Sequence, residues 1–221
     1  MIITEQKPLA EILESLKNYN KIFLVGCGDC ATACKTGGEA DVVSIQKQIE
    51  NSGRTVTGVC IPDAACVAAK LKSAAAKHMQ AMRASDAVLI FSCGLGVQSF
   101  KDNDRLNLAV LPGCNTLSAA VLDSRGDLFE KCAMCGQCVL GETFGICPVA
   151  LCPKGLLNGP CGGMNKGKCE LDPERDCAWV LIYKEAGRKN SLDSLKKIQS
   201  PRDHKRSVKP HKLIVNQAVS K

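Results

Sequence analysis

Between Cys132 and Cys177 the chain places eight cysteines in 46 residues, with many glycines and no sustained hydrophobic period. Such a segment cannot build a core of its own, because it lacks the regularly spaced apolar side chains that give a helix or strand one buried face. Something else must supply its folding energy, and sulfur offers two routes, disulfides or metal. The protein has 15 cysteines in 221 residues, an odd number that cannot pair completely within the chain. Its first residues, "MIITEQKPLAEILESLK", lack the basic start and apolar block of a secretory signal. Its longest apolar runs fall short of membrane-spanning length. A cytoplasmic protein is expected, and cytosolic thiols are kept reduced. Metal or cluster ligation is therefore the leading explanation. Free cysteine also behaves as a small hydrophobe, which can account for one or two of the set but not for all of it.

Spacing sharpens the chemistry. Cys132-x2-Cys135-x2-Cys138 is the ferredoxin-type triplet, which places three thiolates around one cubane face. Cys147 and Cys152 each precede a proline, and Cys161, Cys169 and Cys177 follow. Eight cysteines make two complete quartets, but spacing alone does not say how they divide. Four-thiolate zinc sites are the competing reading. Zinc ribbons usually pair two C-x2-C knuckles, and no second knuckle follows this triplet, which favours iron–sulfur. One cluster with one zinc in place of a second is the mixed alternative.

The N-terminal part has a different texture. Leu9, Ile12, Leu13 and Leu16 give residues 1–20 an amphipathic helical pattern. "KIFLVG" (21–26), "RTVTGVCI" (54–61) and "DAVLIFSCG" (86–94) read as strands separated by helical stretches, the second of them alanine-rich. "LNLAVLPG" reads as a fourth parallel strand and "LSAAVL" as a short helix or loop. The pattern predicts α/β architecture, an open parallel Rossmann-like sheet with right-handed crossovers. It is followed by a small cysteine-rich, cluster-stabilised domain and an extended basic tail. The expected boundaries are 1–124, 125–183 and 184–221.

Seven thiols of the α/β part, at positions 27, 30, 34, 60, 66, 93 and 114, are expected at the carboxyl ends of the strands, where open α/β sheets hold their ligands. Cys27-x2-Cys30-x3-Cys34 wraps one point, and Cys66 or Cys93 could complete a [4Fe–4S] site. The same stretch, "GCGDCA" (26–31), fits the dinucleotide fingerprint G-x-G-x-x-A. That fingerprint wants an acid at the end of the second strand, which instead holds Cys60, and cysteines in its variable slots suit metal better than pyrophosphate. The glycines are expected to let backbone N–H groups approach cluster sulfur.

Residues 184–221 carry eleven Lys or Arg against three acids, a charge of +8, while the rest carries eighteen against nineteen, −1. Aromatics are only 4%, so base stacking has little to work with, and no nucleic-acid partner is expected. No catalytic residue can be argued, because no Ser/His/Asp or Cys/His set is in place. His78 is expected on the solvent face of the alanine-rich helix. Trp179 and Tyr183 are expected to anchor the helix that leaves the cysteine-rich segment. The tail from Ser200 onward has too few apolar residues to fold alone, and "KLIV" (212–215) is a compact apolar patch within it. It is expected to wrap a partner, with truncation after Ile198 leaving cluster content intact.

The run "CAMCGQCVLGETFGICPVALCPKGLLNGPCGG", continued by "GKCELDPERDCAW", resembles the cysteine-rich methylenetetrahydrofolate reductase C-terminal family. Its stand-alone members are the MetV subunits that accompany the flavin subunit MetF in acetogens, which use it in the Wood–Ljungdahl pathway of one-carbon metabolism. "GCGDCATACKTGGEADV" and "SCGLGVQ" are similar to that family's N-terminal half. The resemblance implies thirteen ligand cysteines: Cys27, Cys30, Cys34, Cys66, Cys93, Cys132, Cys135, Cys138, Cys147, Cys152, Cys161, Cys169 and Cys177. It leaves out Cys60 and Cys114. The grouping of five and eight cysteines predicts two or three [4Fe–4S] clusters, and the resemblance implies FMN and folate bound only by a MetF-type partner. It implies an electron-transfer subunit of an oxidoreductase complex, served by a further electron-donor subunit, with no membrane partner. A zinc-stabilised structural subunit of such a reductase is the alternative.

Overall fold

The structure, a computed structural model, describes residues 1–210, so the apolar "KLIV" patch lies outside the described residues. It divides into two compact units, Met1–Leu128 and Phe129–Lys221.

The first unit runs β1 (Ile2–Gln6), α1 (Leu9–Ser15), β2 (Lys21–Val25), α2 (Cys30–Ala33), α3 (Glu39–Asn51), β3 (Thr55–Cys60), α4 (Ala68–Ala76), α5 (Met79–Arg83), β4 (Ala87–Ile90), α6 (Gly94–Asn103), β5 (Ala109–Pro112) and β6 (Cys114–Leu122), with β7 (Leu128–Glu130) at the boundary. The main sheet has the order β3-β2-β4-β5, and every pair in it is parallel. The expected α/β class and four-strand parallel sheet are therefore present. Residues Ile22–Val25 and Ala87–Ile90 are fully buried, as central strands covered on both faces must be, which is why they read as unbroken apolar runs. Alternate residues feed two cores. Ile22, Leu24 and Leu89 join Ile12 of α1 and Ile45 and Ile49 of α3. Phe23, Val25 and Ile90 join Leu71 of α4, Met82 of α5 and Phe100 of α6.

Three expectations are corrected here. The helix in residues 1–20 occupies only Leu9–Ser15, and Ile2–Gln6 is a strand. The run "LSAAVL" belongs to β6, not to a helix or loop, and pairs antiparallel with β1 (Ile2 opposite Ala119, Gln6 opposite Cys114). Each strand's partner lies more than a hundred residues away, so neither shows a local signal. The hydroxyl pair Thr4–Thr36 (Oγ1 to Oγ1, 2.6 Å) seals the buried side of β1. The alanine-rich helix breaks at His78, which is half-buried with its ring 6.0 Å from that of Phe23 instead of lying on the solvent face.

The second unit contains α7 (Pro148–Leu151), the antiparallel pair β8 (Lys168–Cys169) and β9 (Asp172–Asp176), α8 (Ala178–Arg188), and two 3-10 turns at Leu192–Lys196 and His204–Ser207. Apart from Thr143 and Pro148, its buried described residues are Ala178, Trp179, Ile182 and Ala186, one stripe of α8. Trp179 is anchored by its indole N–H on Leu156 O (2.9 Å), whereas Tyr183 is 60% exposed and anchors nothing. The expected pair of anchors is one. None of the described helices is long and apolar enough to cross a membrane.

Candidate functional site

In the first unit the thiols sort into two environments. Cys27 closely follows β2 without directly preceding a helix, Cys66 lies in the turn before α4, and Cys93 occupies the N-cap of α6, where the helix dipole favours negative charge. Partial desolvation pushes the Cys66 thiol up, and charge on Cys93, Cys27 and Cys30 pushes the same way. These four thiols are thus electrostatic neighbours at the carboxyl edge of the sheet, on either side of β2, where the strand order reverses. Cys30 also accepts a bond from the Ile2 N–H (3.4 Å). The Cys34 sulfur donates to Ile2 O (3.6 Å), and charge on Cys34 and on Cys93 alike adds to the upward push on Cys114.

Cys60 and Cys114 are core residues. Burial raises their thiols to about 11 and about 12, respectively, so both are neutral near pH 7. Cys60 sits with Phe23 and Leu71, and Cys114 with Ile22 and Phe91 while bonding Thr36 O (3.5 Å). Of the seven thiols expected at the strand edge, these two serve packing.

The glycine motif between β2 and α2 does something other than expected. Gly26 N donates to Cys60 O, Cys27 N to Gly37 O and Gly28 N to Pro62 O, each at 2.9 Å. Those amides are taken by carbonyls, so they are free neither for a pyrophosphate nor for cluster sulfur. The helix that would receive a phosphate is only four residues long. Gly26 serves close approach instead, since a Cβ there would stand 2.5 Å from Gly37 O.

In the second unit, Cys152, Cys161, Cys169 and Cys177 line one pocket, together with Lys154, Glu170 and the ring of Trp179. Cys177 is the N-cap of α8, again at a helix N-terminus. Cys161 is delivered by the turn Asn158–Gly163, in which Gly159 (φ +112°) and Gly162 (φ +83°) adopt conformations that a side chain would strain. Lys154 pairs with Glu170, which holds the ammonium pKa up and the carboxyl pKa down, and Cys161 lies beside both. Cys132, Cys135, Cys138 and Cys147 do not line that pocket. The Met134 N–H donates to Cys132 Sγ (3.4 Å), and Cys135 Sγ donates to Gln137 O (3.5 Å). All 15 cysteines are unpaired.

Among the described residues, no three or more Cys, His, Asp or Glu side chains stand close enough to hold one metal ion. The four thiols of the second-unit pocket would have to draw together on a metal, and metal binding commonly supplies that closure as folding energy. The donor sets fit thiolate-ligated iron–sulfur or zinc: sulfur dominates, and no histidine lines the second-unit pocket. A cavity of about 240 Å³ between α4 and α6 in the first unit, lined by Leu71, Ala75, Met79 and Phe100 among others, contains no cysteine.

Residues 111–205 match a family model described as methylene-tetrahydrofolate reductase C terminal. No curated protein and no solved structure matches the chain.

Proposed function

We propose that this chain is an iron–sulfur electron-transfer subunit of a methylenetetrahydrofolate reductase complex, the counterpart of MetV. It would exchange electrons with the FMN of a MetF-type partner that reduces 5,10-methylenetetrahydrofolate to 5-methyltetrahydrofolate. The observation that carries the proposal is the gathering of Cys152, Cys161, Cys169 and Cys177 around one pocket within the matched segment. Iron–sulfur clusters held at these thiols would supply one-electron transfer.

The chain's own residues do the rest. Gly159 and Gly162 bend the backbone so that Cys161 joins the pocket, and Trp179 closes one wall of it. Lys154 sets a positive charge beside Cys161 that offsets thiolate repulsion. In the first unit, Cys27, Cys30, Cys34, Cys66 and Cys93 would supply a further site at the sheet's switch point. Folate and FMN chemistry belong to the partner in this reading.

The test is anaerobic purification alone and with a MetF-type flavin subunit, with iron, sulfide and zinc counted per chain. Brown absorbance that bleaches with dithionite, and electron transfer into the partner's FMN, are expected. A colourless chain holding only zinc would overturn the redox role and leave a zinc-stabilised structural subunit.

A further inference from the structure

The start of the basic tail is bound to the cysteine-rich unit itself. Asn158, the first residue of "NGPCGG", clasps Gln199 in both directions: its Nδ2 donates to Gln199 O (3.0 Å) and Gln199 N donates to its Oδ1 (2.7 Å). Four residues on, Asp203 N donates to Gln137 Oε1 (3.0 Å), and Arg202 Nη2 donates to Cys135 O (3.4 Å). A Cβ on Gly136, which sits at φ +75°, would come within 2.8 Å of Arg206 O. Residues 199–206 therefore form a strap that joins the Cys161 turn to the loop between Cys135 and Cys138.

Arg202 is the residue of this strap that ordinary packing does not explain. Its Nε is buried and has no hydrogen-bond partner, the one such side-chain nitrogen or oxygen among the described residues. A guanidinium cannot shed its charge to relieve that position, and an unpaired buried donor is costly. The neighbouring strap carboxylate does not provide for it: Asp203 reaches Arg206 (3.8 Å), not Arg202. What lies beside the guanidinium is the Cys132–Cys138 loop, whose three thiols would carry negative charge once ligated.

Building on the metal-site reading above, which leaves Cys132, Cys135, Cys138 and Cys147 as the second four of the eight, we infer that Arg202 is the countercharge of the site they would form. A four-thiolate site is strongly anionic, and hydrogen bonds and positive charge around the sulfurs stabilise it and tune its metal. The strap is then part of the site. This reverses the expectation that the tail after Ile198 could be removed without touching metal content.

The test follows metal release from the full chain into excess EDTA under anaerobic conditions, with Cys135→Ser and Cys161→Ser used to assign each quartet's share. Arg202→Gln is expected to release the Cys135 share about tenfold faster, the scale of one charge-assisted hydrogen bond, and to leave the Cys161 share unchanged. Arg202→Lys, which keeps the charge but loses the planar fork, is expected between the two. Truncation after Ile198 is expected to match or exceed Arg202→Gln. Equal release rates in Arg202→Gln and the native chain would overturn the inference, as would faster release from both quartets alike, which is what general loosening would give. If Cys135→Ser removes no metal, the metal-site reading of that quartet fails and Arg202's role falls with it. Intact metal with an unmoved rate defeats Arg202's role alone.

Discussion

The two units solve the same problem with different materials. The first buries nearly every apolar side chain of β2 and β4 and fills both faces of its sheet from α1, α3, α4, α5 and α6. The second buries one stripe of α8 and leaves Met134, Met164 and Leu171 in solvent, with Leu171 61% exposed. Hydrophobic burial at roughly 1.5–3 kcal/mol per large side chain can hold the first unit together. Two large buried residues in the second, Trp179 and Ile182, cannot offset the entropy of ordering that length of chain. Its cysteines stand where a core would be. The contrast teaches that the first unit's fold is complete from its apolar side chains, whereas the second's buried side chains leave it short of a core.

The comparison breaks most visibly on metal removal. Chelation or oxidative cluster loss is expected to abolish amide protection through residues 129–190 while β2 and β4 keep theirs. Hydrogen exchange read by mass spectrometry checks it, and equal protection before and after would return the second unit to ordinary folding. Next in size is the division of the eight thiols. Cys161→Ser and Cys169→Ser are expected to lose the same metal signal, and Cys135→Ser a different one. Loss of different signals by the first two would contradict the shared pocket.

Leu89→Ala tests the other side. Leu89 is fully buried in β4, and its truncation is expected to cost the first unit about 2–5 kcal/mol, read as a lower denaturation midpoint of that unit with metal content unchanged. The smallest effect concerns acid. The N–H groups of Lys21 (2.9 Å) and Asn20 (3.0 Å) donate to Asp86 Oδ2 and hold its carboxyl below its ordinary 3.8. A depressed carboxylate stabilises the fold fully above its unfolded value, and the contribution is lost as pH falls through the folded one. Asp86→Asn is expected to lower the urea midpoint of the first unit slightly at pH 7. The gap from the native chain should close as the solution is acidified. A gap that persists in acid would show that Asp86 acts by something other than its charge.

The parallel sheet was legible because its signals are local: an apolar run such as "KIFLV" carries its own evidence of burial on both faces. The placement of Cys27, Cys66 and Cys93 at the strand ends followed from that. The β1–β6 pair was illegible, since neither "IITEQ" nor "LSAAVL" names its partner. Cys60 and Cys114 could not be told from ligands by spacing, because burial in a core is a property of three dimensions. The pocket shared by Cys152, Cys161, Cys169 and Cys177 was hidden for the same reason. Arg202 lies 67 residues from Cys135, amid a basic run whose composition names no contact within the chain. The glycines of "GCGDC" misled because close backbone packing and ligand approach call for the same residue.

The β1–β6 pair also sets an order of assembly. The Met1 ammonium donates to Ala120 O across a separation of 119 residues, so this clasp is among the longest loop closures in the chain. Contacts of such high sequence separation form late, and during synthesis they must wait until β6 has left the ribosome. Yet the backbone of Ile2 is what grips Cys30 and Cys34. On a nascent chain the parallel strands can collapse while that thiol loop is still untied at one end. The edge of the sheet that carries Cys30 and Cys34 is thus closed by a strand made first and seated last.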